Sequence, residues 1–210
     1  MFNFLKKKDN GVQPPIETGN VDIAPPVVFD QVADELDVEV ELLKAFVKVE
    51  SGSCNSLNGK PICRWETHIF KRYTGINIYV HGLRGRINAE CQGNEYEAFN
   101  RGCLVRDGKY EKQAYMSASW GMGQIMGFHY KRLGFNTPKE MVEWIGESDD
   151  NGIRSIGRFI KTHAKLLKAC QTKDFYKIAY YYNGAYFEKY APEGKQYDDK
   201  IKAEYERLTA

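Results

Sequence analysis

VEVELLKAFVKVE, residues 38–50, followed by Ser51-Gly52, is the stretch on which the fold turns. Leu42, Leu43, Phe46 and Val47 recur at helical spacing and form one apolar face. Asp37 reads as the N-cap of this helix, and Ser51-Gly52 as its stop. Glu50 follows Phe46 by four residues and Val47 by three, so it continues the apolar stripe at the helix C-terminus. The helix dipole disfavours a negative charge there, and partial burial does the same, so both raise a carboxyl pKa. A carboxylic acid still protonated near neutral pH is what a glycosidase needs in order to protonate a leaving oxygen. The pattern leaves a plainer role open, a helix-end carboxylate turned into water.

Working outward, VVFDQVADEL (27–36) reads as a preceding helix, and residues 1–26, with two Pro-Pro pairs and no period, as a flexible tail. The expected organisation is therefore a 1–26 Pro-rich tail and a single 27–210 domain. On the other side, Asn58-Gly59 signals a turn and Pro61 to Cys63 a short extended piece. Trp65 to Tyr73 reads as a helix, and the glycine-rich stretch 76–108 as a small hairpin or loop-rich wing. Further helices are expected over Tyr110–Ser117, Gly123–Leu133 and Pro138–Ile145. The longest follows Ser148-Asp149-Asp150 and carries the stripe Ile153, Ile156, Ile160, Ala164, Leu167, Cys170. Thr172 reads as the cap of a helix that runs to Tyr182 and ends at Asn183-Gly184, and a polar helix over 196–208 closes the chain. The sum is a mainly α (α+β) domain of about eight helices with little sheet.

Composition fits that class. The 210 residues are 42% hydrophobic, 28% charged and 13% aromatic, a globular balance with aromatics enough for a core and for a groove that takes flat rings. No apolar run approaches the roughly 20 residues that span a bilayer, so no membrane insertion is expected. A net charge of +2 carries no expectation of nucleic-acid binding. Its distribution is uneven: net −5 over 1–50, +6 over 51–138, −4 over 139–150 and +5 over 151–210. The five cysteines are odd in number, form no CxxC pair, and accompany four histidines without HxxxH spacing, so neither a metal nor another cofactor is expected. MFNFLKKKDNG, residues 1–11, puts its apolar groups before its lysines, the reverse of a secretory signal. Synthesis in the cytoplasm with reduced thiols is the resulting expectation.

Three further segments stand out. Glu66, in RWETHIF, lies beside Ile69 and Phe70, across a loop from Glu50, where two carboxylates can flank a bond; pairing with Arg64 or Lys71 is its structural alternative. SASWGMGQIMGFHY (117–130) places Gly121 and Gly123 where backbone can approach a ligand and offers Gln124 as donor and acceptor. IAYYYNGAYF (178–187) puts aromatic groups, Tyr182 among them, and Asn183 at a helix end.

VESGS (49–53), SWGMGQIMG (119–127) and AYYYNGAY (179–186) resemble, in this order, the three signatures of the lysozyme-like superfamily. GKPICRWETHIFKRYTG (59–75) narrows the resemblance to the phage-type N-acetylmuramidase endolysins, with Trp65 where that family often has Phe. The resemblance implies a lysozyme-like fold around a cleft. It also implies cleavage of the β-1,4 bond between N-acetylmuramic acid and N-acetylglucosamine in peptidoglycan, by a monomer released to the wall by another factor. Glu50 matches the catalytic acid and Glu66 the second acidic position. Gln124 matches the cleft-lining Gln, and Tyr182 with Asn183 the Tyr-Asn pair near the sugar; Trp120 and His68 are further candidates for binding the glycan strand. A lytic transglycosylase, which needs only Glu50, and a non-catalytic wall-binding virion protein are the rival readings.

Overall fold

The computed structural model describes residues 26–84, 87–192 and 194–210. The expected tail, 1–26, thus lies outside the described residues except for Pro26, which opens the first helix. Among the described residues the chain forms ten α-helices and two small antiparallel sheets. No helix among them is long and apolar enough to cross a membrane.

α1 (Pro26–Leu36) and α2 (Val40–Ser51) pack together, and α2 buries Leu42, Leu43, Ala45, Phe46 and Val47. Asp37 does not cap α2. It sits in the left-handed region (φ 53°), and Glu39 holds the N-cap position. Gly52 ends α2 in the left-handed conformation (φ 60°, ψ 24°), its N–H donating to the Lys48 carbonyl at 3.0 Å.

A two-stranded ribbon follows, β1 (Ser56–Leu57) and β2 (Lys60–Pro61), turned at Asn58-Gly59. β3 (Cys63–Trp65) is the edge of a second sheet and pairs with β4 (Ala118–Trp120), which pairs with β5 (Ile125–Met126). Trp65 therefore belongs to a strand, and the helix expected over Trp65–Tyr73 starts later, as α3 (Thr67–Thr74). Its indole Nε1 donates to the Ile78 carbonyl at 2.7 Å, an anchor that strand geometry supplies.

The larger correction concerns 76–108. The expected hairpin or wing contains instead a 16-residue helix, α4 (Ala89–Leu104), capped by Asn88, whose side chain accepts the Cys91 N–H. Gly102 lowers the helical signal but is required by packing, since a Cβ there would lie 2.6 Å from the Trp65 ring. Similarly, the helix expected over Gly123–Leu133 is β5 and a short 3-10 turn, Gly127–His129.

α5 (Glu111–Met116), α6 (Pro138–Glu147) and α7 (Asp149–Lys161) complete the wall behind the sheet. The stripe from Ile153 to Cys170 is split between α7 and α8 (Ala164–Gln171), because His163 turns the chain and accepts the Leu166 N–H on Nδ1 (3.1 Å). α9 (Phe175–Tyr182) is capped by Asp174 rather than Thr172. α10 (Tyr197–Thr209) returns to lie along α2.

The free edge of β3 is closed by side chains. Gln92 of α4 accepts the Cys63 N–H (2.9 Å) and donates to the Cys63 carbonyl (3.2 Å), as a neighbouring strand would. Glu95 accepts the Trp65 N–H (2.8 Å), and Arg84 donates to the Trp65 carbonyl (2.8 Å). Replacing Gln92 by Leu strands two buried backbone groups, so Gln92→Leu is expected to cost about 2–4 kcal/mol in denaturant unfolding. A loss under about 0.5 kcal/mol, the range of an ordinary surface change, would show that the clamp is not needed.

Candidate active site

Glu50 occupies the last turn of α2 and lines a small cavity of about 80 Å³ with Ile62, Cys63, Arg64, Glu95 and Gln124. Burial raises its carboxyl to about 7, against the opposing pull of a hydrogen bond from the Tyr197 hydroxyl and the Arg64 charge. That carboxyl is therefore an acid poised at neutral pH, held by the donation of one phenol.

The phenol belongs to a packed column. Tyr197, first residue of α10, stacks on Tyr182 with centroids 6.3 Å apart and planes 12° from parallel. Tyr182 packs on Phe46 (4.8 Å) and Phe159 (5.1 Å) and donates its hydroxyl to the Gly123 carbonyl at 2.9 Å. Burial, and then the Glu50 charge, push both tyrosine hydroxyls upward, so each remains a donor. Gly123 has no room for a side chain: a Cβ would lie 2.6 Å from Ile156. The β4–β5 turn bends through Gly121 (φ 64°) and puts Gln124 itself in the left-handed region (φ 46°). Gln124 donates to the Gly121 carbonyl (2.9 Å) and accepts from the Ser119 hydroxyl (3.1 Å), which fixes its amide at the cavity wall. Asn55, 2% exposed, anchors the same turn by accepting the Met122 N–H (3.0 Å) and donating to the Ile145 and Ser148 carbonyls.

Glu66 lies outside this cavity lining. Its carboxylate is 3.8 Å from Arg64 Nε and 3.5 Å from His68 Nδ1, and its side chain is 26% exposed. Arg64 is thus the group that Glu50 and Glu66 share. β3 directs Cys63 and Trp65 into the interior and leaves Arg64 exposed between them.

Of the residues expected from sequence, the structure brings Glu50 and Gln124 into one cavity, with Tyr182 behind it. His68 is exposed beside Glu66, and Asn183 is exposed at the end of α9. Trp120, 1% exposed, is a core residue whose indole donates to the Tyr115 carbonyl (3.0 Å), and it lines a different groove from the Glu50 cavity. Sequence reasoning missed Tyr197, although Tyr197, Ile201, Tyr205 and Leu208 mark an apolar stripe on a helix read only as polar. It also missed Glu95, 2% exposed, whose carboxyl is pushed up by burial against the pull of the Trp65 N–H and two arginines. No local signal distinguishes Glu95 within QGNEYEA. Among the described residues no cluster of His, Cys, Asp and Glu is arranged to hold a metal.

The N-acetylmuramidase family model matches residues 39–209. Among solved structures, the crystal structure of the Burkholderia AP3 phage endolysin aligns with a TM-score of 0.68 at 26% identity, covering 87% of this chain and 70% of that chain. A search of the curated proteins gave no match. With that match spanning both the acid-bearing helix and the tyrosine column that holds it, the chain belongs to the N-acetylmuramidase family, phage-type hydrolases of peptidoglycan.

Proposed function

We propose that the protein cleaves the β-1,4 bond between N-acetylmuramic acid and N-acetylglucosamine, with Glu50 as the general acid. The observation that carries this reading is a carboxyl raised to about 7 by burial in a cavity with the Gln124 amide. Protonated Glu50 donates to the glycosidic oxygen as the bond breaks. The resulting carboxylate is met by the Tyr197 hydroxyl and the Arg64 charge, both of which favour the ionised form. Gln124 offers a fixed amide to the sugar beside the scissile bond, and Glu66, through Arg64, orients the attacking water.

One observation favours a second route. Glu66 is held by Arg64 and His68 and does not line the acid's cavity. A lytic transglycosylase needs no second carboxylate, because the muramic 6-hydroxyl attacks in place of water. Mass spectrometry of the products separates the two: reducing muramic ends mark the hydrolase, and anhydro-muramic ends overturn it in favour of the transglycosylase.

Glu50→Gln is expected to lose on the order of 10²–10⁴ in turnover. The same change reads the acid's burial. A carboxyl raised from 4.5 to about 7 adds its full stability below 4.5 and loses it as pH climbs through 7. The variant should therefore match the wild-type melting temperature at pH 4 and exceed it at pH 8, by about 1–3 kcal/mol in stability. Turnover above a tenth of wild type would remove Glu50 as the acid.

Tyr197→Phe removes the donor that stabilises ionised Glu50. The alkaline limb of kcat/KM, expected near pH 7, should move upward in this variant. A limb that stays in place would show that another group controls it.

Glu66→Ala should lose activity without loss of melting temperature if Glu66 orients water, and azide should then restore turnover as a glycosyl azide of inverted configuration. A lower melting temperature with no azide effect would make Glu66 a structural partner of Arg64 and His68.

A further inference from the structure

α6 holds most of the acidic run of the chain, the net −4 stretch between basic flanks. Two of its acids have evident local roles: Glu140 accepts the Asn136 N–H at 3.0 Å, and Asp149 begins α7. Glu143 and Glu147 line a groove of about 470 Å³ between α6 and the C-terminal half of α4, and Glu147 also accepts from the Asn151 side-chain amide at 3.2 Å. Glu143 is exposed and makes no ion pair or hydrogen bond among the described residues. The groove floor is aromatic. Trp120 meets Phe99 edge-on at 5.0 Å and Tyr115 in a stack at 5.9 Å, and Tyr96 closes the floor by donating to the Pro61 carbonyl (2.7 Å). Lys60 stands at the groove with its ammonium 5.1 Å from the Tyr96 ring.

The groove adjoins the acid's cavity through two shared elements. On α4, Gln92 and Glu95 face the cavity, while Tyr96, Phe99 and Asn100 face the groove. On the neighbouring segment, Ile62 to Arg64 line the cavity, and Gly59 to Pro61 line the groove. Glu95 and Asn100 are five residues apart, about 7.5 Å along a helix axis. Three extended residues span about 10 Å, more than that axial spacing between the α4 residues of the cavity and those of the groove.

We propose that this groove binds the peptide stem of the substrate, a short peptide that carries a diamino acid. The stem's side-chain ammonium lies between Glu143 and Glu147, its methyl groups rest on the aromatic floor, and a stem carboxylate meets Lys60. Uncharged sugar rings have no use for two carboxylates, whereas an ammonium-bearing peptide does. The inference rests on the peptidoglycan-hydrolase reading above and adds to it a preference for peptide-bearing strands.

The test compares kcat/KM on peptide-bearing strands, on strands stripped of stems by an amidase, and on strands whose stem ammonium is acetylated. The wild-type protein is expected to prefer the native strands over both others by about fivefold, the scale of a partly exposed ion pair. Glu143→Gln and Glu143→Lys, at an exposed position, should bring that ratio towards one. Direct titration with a free stem tripeptide, followed by the Trp120 indole resonance, should show saturable shifts that Glu143→Lys weakens. A wild-type ratio near one, variants that keep the wild-type ratio, or an equal fall on native and stripped strands would each overturn the proposal. The last outcome would make the groove a sugar subsite. Failure to cleave any strand, with the tripeptide still bound in the groove, would instead overturn the hydrolase reading and leave the peptide site standing.

Discussion

β3 must be hydrogen-bonded on both edges, although the sheet supplies a strand on only one. The alternate backbone groups of residues 62, 64 and 66 face β4, and those of Cys63 and Trp65 face α4. A buried peptide group left without a partner costs about 1–3 kcal/mol, so four such groups in two residues would forbid the strand. Gln92, Glu95 and Arg84 meet all four. This constraint places α4, and α4 in turn forms one wall of the acid's cavity and one wall of the aromatic groove. It also explains a buried carboxylate that does no evident chemistry: Glu95 lies in the interior because a strand N–H and a guanidinium hold it there.

The acid itself is governed by a second balance. Burial favours protonated Glu50, while Tyr197 and Arg64 favour the carboxylate. Burial alone would drive the carboxyl further up, and a general acid that cannot ionise cannot give up its proton. The donors alone would leave it ionised at neutral pH. Their opposition sets the carboxyl near 7, the balance that the general-acid role proposed above for Glu50 requires. Tyr197 can serve only because α10 lies along α2 and because Tyr182 stacks behind it. The C-terminal helix therefore helps to set the Glu50 carboxyl despite its polar composition.

The features legible in the sequence share one property: they are local. The apolar face of α2, the Gly52 stop, the Asn58-Gly59 turn and the position of Glu50 on the stripe all follow from residues within a few places of one another. The mainly α class and the order of the three signatures were legible for the same reason. α4 was not, because Gly93 and Gly102 weaken its helical pattern and the demand for Gly102 comes from Trp65, far away in sequence. The split at His163 was hidden by a stripe whose period continues through the break. Trp120 stands beside two glycines and reads as a ligand platform, yet the strand pairing that buries it depends on residues 63–65.

Long-range pairing also decides how the two concavities are related. A glycan hydrolase that met only sugar would need the Glu50 cavity and an extended cleft of neutral donors and acceptors. Here the same face of α4 continues from Glu95 to Asn100, past the acid's cavity and into a groove whose opposite wall is the acidic α6. Gly146 lets α6 lie close to β2 at one end of that groove, since a Cβ there would lie 3.0 Å from the Pro61 ring. Because the Gln92 and Glu95 clamp fixes α4 to β3, the groove and the acid are held by one rigid element. A stem docked between α4 and α6 would then position the muramic ring against Glu50 through covalent connection alone, with no movement of the chain required.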